Sequence, residues 1–385
     1  MCLSYNINYM VNNIQLDIPM NNREIVQSEA LEIIKKHKRS GLGISMGVGK
    51  TRIAIKHLMM NFNPLIQALV VIPKHSVSKS WFDELDKMNL SKLVKHITFT
   101  TYLSLKKHNP NDYDIVYLDE CHSLLPNHEI FLSSYTGKIL GLTGTPPRDK
   151  QSVKGMLVQR YCPIRYNFSV DAATESNILN DYKIIIHELE LSKLPNLKKK
   201  TKSGGHWYTN EKKDYDYCTG RVNDAQSPKQ MQFSRIMRMR ALMDYPTKEL
   251  YAKAMVKNIE DKCIVFANTQ KQADRISKHS YHSGNKNSED NLELFSDGRI
   301  NSLSCVLQLS EGVTIPGLKQ GIIMHAYGNE KKTAQRIGRL LRLNPSETAI
   351  CHILCYKNTQ DVKWVSSALK SFDQTKIQRY NPLNK

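Results

Sequence analysis

No stretch of 18 or more apolar residues occurs in this 385-residue chain, so no membrane-spanning helix is expected. The first residues, Met1-Cys2-Leu3-Ser4-Tyr5-Asn6, lack a basic region followed by an apolar one, which argues against a secretory leader. Cysteine is present eight times but never as a CxxC pair. Cys351 and Cys355 share the alternating, strand-like run from Ala349 to Tyr356. An i,i+4 spacing in a strand holds two thiols too far apart for a disulfide or a shared zinc. Free thiols in a reducing cytoplasm are the expectation, and the chain is placed there. Glycine (18) and proline (14) are sparse and 40% of residues are hydrophobic, which fits a folded protein and not a disordered one. Acid is in short supply: 36 Asp+Glu face 55 Lys+Arg, a net charge of +19. A lysine-rich proteome alone gives such a balance, but a polyanionic partner, foremost nucleic acid, explains it better.

The length suffices for two or three domains with real cores. Short apolar runs alternate with helix-like segments. Strands are expected at Leu42–Met46, Ala68–Pro73, His96–Tyr102, Asp114–Leu118 and Lys138–Leu142, with helices over Thr51–Asn61 and Ser78–Lys87. These runs are rich in Val, Ile and Leu without alternation, as in parallel strands buried on both faces, so the fold class is α/β. The pattern weakens over Lys193–Lys229, a polar, basic stretch expected to be a mobile insertion. It resumes with a long helical segment broken near Pro246. Strands are then expected at Lys262–Ala267, Asn301–Leu309, Gln320–His325 and Thr348–Tyr356, with a helix over Lys332–Leu343. Two α/β domains follow, residues 1–165 and 166–385, the insertion 193–229 lying in the second.

Three motifs carry chemistry. Met46-Gly47-Val48-Gly49-Lys50-Thr51 follows a short strand and opens a helix. Backbone N–H groups of such a loop point at phosphate oxygens, and the helix N-terminus adds partial positive charge. Lys50 would reach the β/γ phosphates and the Thr51 hydroxyl would ligate magnesium. In Leu118-Asp119-Glu120-Cys121-His122 the two acids end a buried strand, where parallel sheets bind ligands. Asp119 would hold magnesium and Glu120 would polarise an attacking water. His122 is either a satisfied structural histidine or a link between this site and another lobe. Gln335, Arg339 and Arg342, at i, i+4, i+7, share one helical face, with Ile337, Leu340 and Leu341 free to pack. A face of Gln and two Arg without acid suits recognition of a γ-phosphate.

Together these motifs resemble those of the superfamily 2 helicases, over about Arg23 to Leu343. Gly141-Leu142-Thr143-Gly144-Thr145-Pro146 resembles motif III, and Val70 to Lys74 resembles motif Ia. Thr98 to Tyr102 is similar to motif Ib, Ile264 to Asn268 to motif IV, and Ser310 to Pro316 to motif V. Gln27 fits loosely the glutamine that reads adenine in this group. The resemblance implies two RecA-like domains with ATP and Mg2+ in the cleft between them. It places Gln27, the loop Met46–Thr51 and Gly312 at the nucleotide, and gives Thr143 and Thr145, with His122, a coupling role. Lys74, Thr100, Thr101, Asn268 and Ser310 match positions that touch the sugar-phosphate backbone.

The TGTP form of motif III looks more like DNA-directed members than RNA-directed ones, and the compact layout resembles phage UvsW-like helicases and their viral relatives. Thr314 stands where motif V often has Asp, and the box reads DECH. The expectation is an ATP-dependent helicase or translocase that favours DNA over RNA and acts on forked or branched DNA. It would lie in the cytoplasm, or the host cytoplasm or nucleoid if phage-encoded, and would serve unidentified replication, recombination or transcription proteins. The alternatives are an RNA helicase, a double-strand translocase that does not unwind, and a non-catalytic binder that kept the fold. Intact Lys50, Asp119, Glu120, Arg339 and Arg342 speak against the last. Lys198, Lys199, Lys200 and Lys202, beside Trp207 and Tyr208, suit a grip on phosphate and a stacked base; a solvated loop is the alternative.

Overall fold

The computed structural model describes residues 21–201, 204–306, 315–326, 336–337, 347–370 and 372–382. Fifteen strands are found among them. The first sheet contains β1 (Arg39–Ile44), β2 (Ala68–Ile72), β3 (Ile97–Thr101), β4 (Ile115–Asp119), β5 (Lys138–Thr143) and β6 (Ile164–Phe168). Its spatial order is β3-β2-β4-β5-β1-β6, all parallel. The second sheet contains β7 (Asp181–Leu189), β10 (Cys263–Phe266), β11 (Ser280–Tyr281), β12 (Ser302–Cys305), β13 (Gln320–Ile323), β14 (Thr348–Tyr356) and β15 (Ile377–Tyr380). Its order is β11-β12-β10-β13-β14-β7-β15, again parallel. The strands β8 (Leu197–Lys200) and β9 (His206–Thr209) form a separate antiparallel pair. No helix among the described residues is long and apolar enough to cross a membrane.

The unbroken apolar runs are explained by cores on both faces of each sheet. In β2, Ala68, Val70 and Ile72 join one core while Leu69 and Val71 join another. In β10, Ile264 and Phe266 face one side and Cys263 and Val265 the other. Gly41 and Gly141 are register partners on β1 and β5. A Cβ on Gly41 would stand 2.5 Å from the Cys162 carbonyl oxygen, and one on Gly141 2.7 Å from Cys162 Sγ. The paired glycines thus admit the end of the helix Val153–Tyr161 onto the sheet.

Two expectations need correction. β6 straddles residue 165 and completes the first sheet by pairing with β1, so the sheets part between Phe168 and Asp181. The connecting segment is gripped by the helix Asn22–Ile34: Asn22 Nδ2 donates to the Ser176 carbonyl (2.8 Å) and an Arg23 guanidinium N–H to that of Ile178 (3.1 Å). The insertion, second, is ordered structure. The β8–β9 hairpin is followed by the helix Glu211–Asn223, which Asn210 caps through the Lys213 N–H. Glu211, wholly buried, accepts hydrogen bonds from the Ser192 N–H, Asn196 Nδ2, the Thr247 N–H and the Thr247 hydroxyl. Local polar composition hid an element that is anchored by one buried acid.

Candidate active site

The site is built at the C-terminal ends of β4, β5 and β1, three neighbours in the first sheet. Gly47 and Gly49 hold φ of 90° and 105°, left-handed values that glycine adopts without a Cβ clash. Gly49 is the N-cap of the helix Lys50–Met60, and among the described residues no side chain caps it. The first-turn N–H groups of that helix are therefore available to an anion. Lys50 Nζ donates to the Ile44 carbonyl (3.2 Å), and a Cβ on Gly144 would come within 3.4 Å of it. The phosphate loop thus lies against the TGTP segment. Gln27 is found behind the loop: it is 1% exposed, Nε2 donates to the Val48 carbonyl (2.9 Å) and Oε1 accepts from Lys56 Nζ (3.4 Å). With both ends of its amide engaged, it positions the loop.

Asp119 ends β4 at 8% exposure. Its Oδ2 accepts from Trp81 Nε1 (3.1 Å), its Oδ1 from the Glu120 N–H (3.0 Å), and its carbonyl from the Tyr102 hydroxyl (2.8 Å). Burial pushes its carboxyl up to about 6, Glu120 adds to the push, and the Trp81 N–H and Lys50 oppose it. Glu120 turns out of the strand at φ 52°. Burial raises its carboxyl too, but His122 beside it, the Lys50 charge and the Gly144 N–H outweigh this and hold it below the usual glutamate range. Two buried carboxylates against one ammonium leave an excess of negative charge that a divalent cation on Asp119 and Thr51 would offset. The oxygen-donor set suits magnesium.

His122 Nδ1 stands 2.8 Å from Thr143 Oγ1 and 3.2 Å from Glu120 Oε2. The aligned hydrogen bond is the one with threonine; Glu120 Oε2 is buried and, among the described residues, has no aligned donor. Thr143 Oγ1 also accepts from the Thr145 N–H (3.1 Å). Motifs II and III are therefore tied by the His122–Thr143 contact, together with the Gly144 N–H on Glu120, beside an acid whose second oxygen is buried without an aligned donor among the described residues.

The remaining expected residues scatter. Lys74 and Thr101 lie at the ends of β2 and β3, and Asn268 follows β10, where its N–H donates to Gln272 Oε1 (2.9 Å). Thr100 departs from expectation: strand alternation turns it inward, and its hydroxyl is buried on His108 Nε2 (2.9 Å). Ser310, Gly312, Thr314, Gln335, Arg339 and Arg342 lie outside the described residues. Ile337 is buried as expected, and so is Arg336, which donates to the His325 carbonyl (3.1 Å) and lies over the Phe266 ring.

Two family models match: "Type III restriction enzyme, res subunit" over residues 11–148 and "Helicase conserved C-terminal domain" over residues 246–344. The order and placement of these two domains agree with the site just described. Two helicase domains in this order support a superfamily 2 helicase. Among curated relatives it is 27% identical to the DNA 3'-5' translocase XPB2 of Sulfurisphaera tokodaii, over 88% of this chain and 82% of that protein. QP509L of African swine fever virus, an ATP-dependent RNA helicase by name, is 29% identical over 34% of this chain and 30% of its own. Solved structures share the fold. S. cerevisiae Dbp5 bound to RNA and ADP BeF3 superposes with a TM-score of 0.56 at 12% identity, covering 92% of this chain and 89% of that one. The restriction-modification enzyme LlaBIII bound to DNA gives 0.59 at 13% identity, covering 96% and 33%.

As a helicase the chain is a nucleic-acid-dependent ATPase, and its site holds residues that motif reading missed. Trp81 and Tyr102 both hold Asp119; Trp81 lies in no motif, and Tyr102 ends the motif Ib-like run without having been assigned a place at the acid. They come from a helix and a loop 38 and 17 residues away from Asp119. Only the burial of their apolar bodies is legible locally; their polar tips are not.

Proposed function

We propose that this helicase couples Mg-ATP hydrolysis to movement along DNA, as a 3'-to-5' helicase or translocase. The match to the archaeal DNA translocase along nearly the whole chain carries the choice of DNA; the viral match, by contrast, spans a third of it. The TGTP box and the +19 charge agree with a DNA partner. Forked or branched DNA is the favoured geometry, in keeping with the compact, phage-like layout.

The two lobes, parting in the segment 169–180, would close on ATP and magnesium. The metal supplies Lewis-acid stabilisation of the transferring phosphoryl oxygens. The loop Met46–Thr51 holds phosphate through its backbone N–H groups, and Lys50 leaves the Ile44 carbonyl to meet negative charge. Thr51 and Asp119 would hold the cation. Glu120, kept ionised by its neighbours, orients and deprotonates water. Arg339 and Arg342, with Gln335, stabilise charge from the second lobe, and Gly312 lies at the nucleotide. Thr143 and Thr145, through His122, relay the state of the site to the strand, which Lys74, Thr101, Asn268 and Ser310 hold by its backbone.

Phosphate release at near-saturating forked DNA, single strand, duplex and RNA tests the reading. Forked DNA should stimulate most. Stimulation by RNA alone would overturn the DNA assignment, and duplex stimulation without strand separation would make the protein a double-strand translocase.

A further inference from the structure

Between Leu197 and Thr209 the chain contains no acid. The hairpin formed there has an unambiguous register: Leu197 faces Thr209, Lys198 faces Tyr208, Lys199 faces Trp207 and Lys200 faces His206. Residues directly opposite share a face, and successive residues alternate. One face is therefore Leu197, Lys199, Trp207 and Thr209. It is the anchored face, although Trp207 on it stays 50% exposed: Thr209 is buried, Leu197 packs on the second-lobe core, and Lys199 Nζ pairs with Asp214 Oδ2 at 3.0 Å. Asp214 in turn accepts from the Tyr245 hydroxyl (3.1 Å), which fastens the hairpin to the helix pair behind it.

The opposite face is Lys198, Lys200, His206 and Tyr208. All four are exposed, Tyr208 to 65%. This face holds two ammonium groups, an imidazole and a phenol ring on a rigid, anchored ribbon. On the following helix Lys213, Tyr217 and Arg221 repeat the basic–aromatic–basic order at four-residue spacing, and all three are exposed. Positive charge interleaved with aromatic rings matches a polyanion whose bases carry π-faces. A protein surface or a membrane would not call for the rings and lysines in this alternation.

We propose that the outer face of the β8–β9 hairpin is an accessory binding site for single-stranded nucleic acid, in which Lys198 and Lys200 neutralise consecutive phosphates and Tyr208 stacks on a base. Lys199 belongs to the fold and not to this site. The assignment rests on the nucleic-acid-dependent reading of the whole chain but not on its preference for DNA. The contacts are to phosphate and ring faces, so they read no sequence.

The test is binding of fluorescein-labelled oligo-dT and oligo-rU to the full-length protein across a salt series. Substituting Lys198→Ala and Lys200→Ala together should flatten the log–log salt slope by about 1.4, at about 0.7 per phosphate on a single strand. Tyr208→Ala should weaken binding roughly five- to a hundredfold with the slope unchanged, and Tyr208→Phe should restore it. Basal ATP hydrolysis without nucleic acid and the melting temperature should stay at wild-type values in these variants, because all three side chains are solvent-facing. An unchanged slope and affinity in both variants would overturn the site. Wild-type binding to rU alone would refute the DNA preference while leaving the hairpin assignment to stand or fall on the variants.

Discussion

Gln27 Nε2 and the Val48 carbonyl are joined by a buried hydrogen bond of 2.9 Å, across 21 residues of sequence. The same amide nitrogen would lie 2.5 Å from a Cβ on Gly49. The helix Asn22–Ile34 thus holds the phosphate loop in shape from behind, through one side chain.

Gln27→Ala should therefore act on phosphate binding and not on base choice. Loss of this buried bond should cost about 1–2 kcal/mol of stability and raise KM for ATP. The ratio of ATP to GTP turnover should not change. Steady-state kinetics with both nucleotides checks this, and a collapse of ATP preference would return the residue to adenine reading.

Lys50→Ala should abolish turnover by removing the phosphate-binding charge. Glu120→Gln should lower kcat by roughly a hundred- to ten-thousandfold, with nucleotide affinity largely kept, since only the partner of the water is lost. Phosphate release alongside binding of a fluorescent ATP analogue separates the two effects. Wild-type hydrolysis by Glu120→Gln would remove it from the role assigned.

Arg339→Ala and Arg342→Ala should each depress turnover about a thousandfold with much smaller changes in ATP affinity. In the proposed mechanism the side chains would act on charge that develops once the lobes close. A change confined to ATP affinity, with kcat intact, would contradict this.

Thr143→Val keeps the shape of the side chain and removes the hydroxyl shared by His122 and the Thr145 N–H. It should destabilise the protein by about 1–3 kcal/mol. The stimulation of ATPase by nucleic acid should fall more than the basal rate. Equal loss of both rates would make the contact structural only.

Acid should unfold the protein early. His57, His187 and His352 are buried and neutral, each lowered to about 4, by burial first; Lys138 adds to this at His57, and His187 at His352. In the unfolded chain they titrate near 6.5, so that state binds more protons between those values, and stability rises with pH across that window. It should fall as pH drops below about 6.5, with the loss complete below about 4. Asp119, raised to about 6, opposes this trend, since its contribution is present at low pH and is lost as pH rises through about 6. Melting temperature from pH 7.5 to 4 checks the sign. A flat profile would mean that these histidines are charged in the folded protein.

Much of the fold was legible because strands buried on both faces announce themselves as unbroken apolar runs. The edges were not. β6 reads Ile164-Arg165-Tyr166-Asn167-Phe168, an alternation suited to a sheet edge, and it escaped a search for continuous runs. Lys50, Asp119 and Glu120 were legible in the sequence because each sits in a contiguous motif, although the side chains that hold Asp119 come from 38 and 17 residues away. Lys199 was not, because its role depends on Asp214 and on hairpin register, and neighbouring lysines look alike until one of them finds an acid. Thr100 and Thr101 illustrate the same limit at a single residue: identical types in one strand face opposite ways.

Gly47 has a neighbour that the phosphate chemistry does not require. A Cβ there would stand 2.9 Å from Leu179 Cδ2, in the segment that joins the two sheets. The absent methyl group lets the joint rest directly on the loop. Any side chain at 47 would act as a shim, spacing the joining segment off the loop. The glycine is thus a mechanical clearance as well as a backbone freedom.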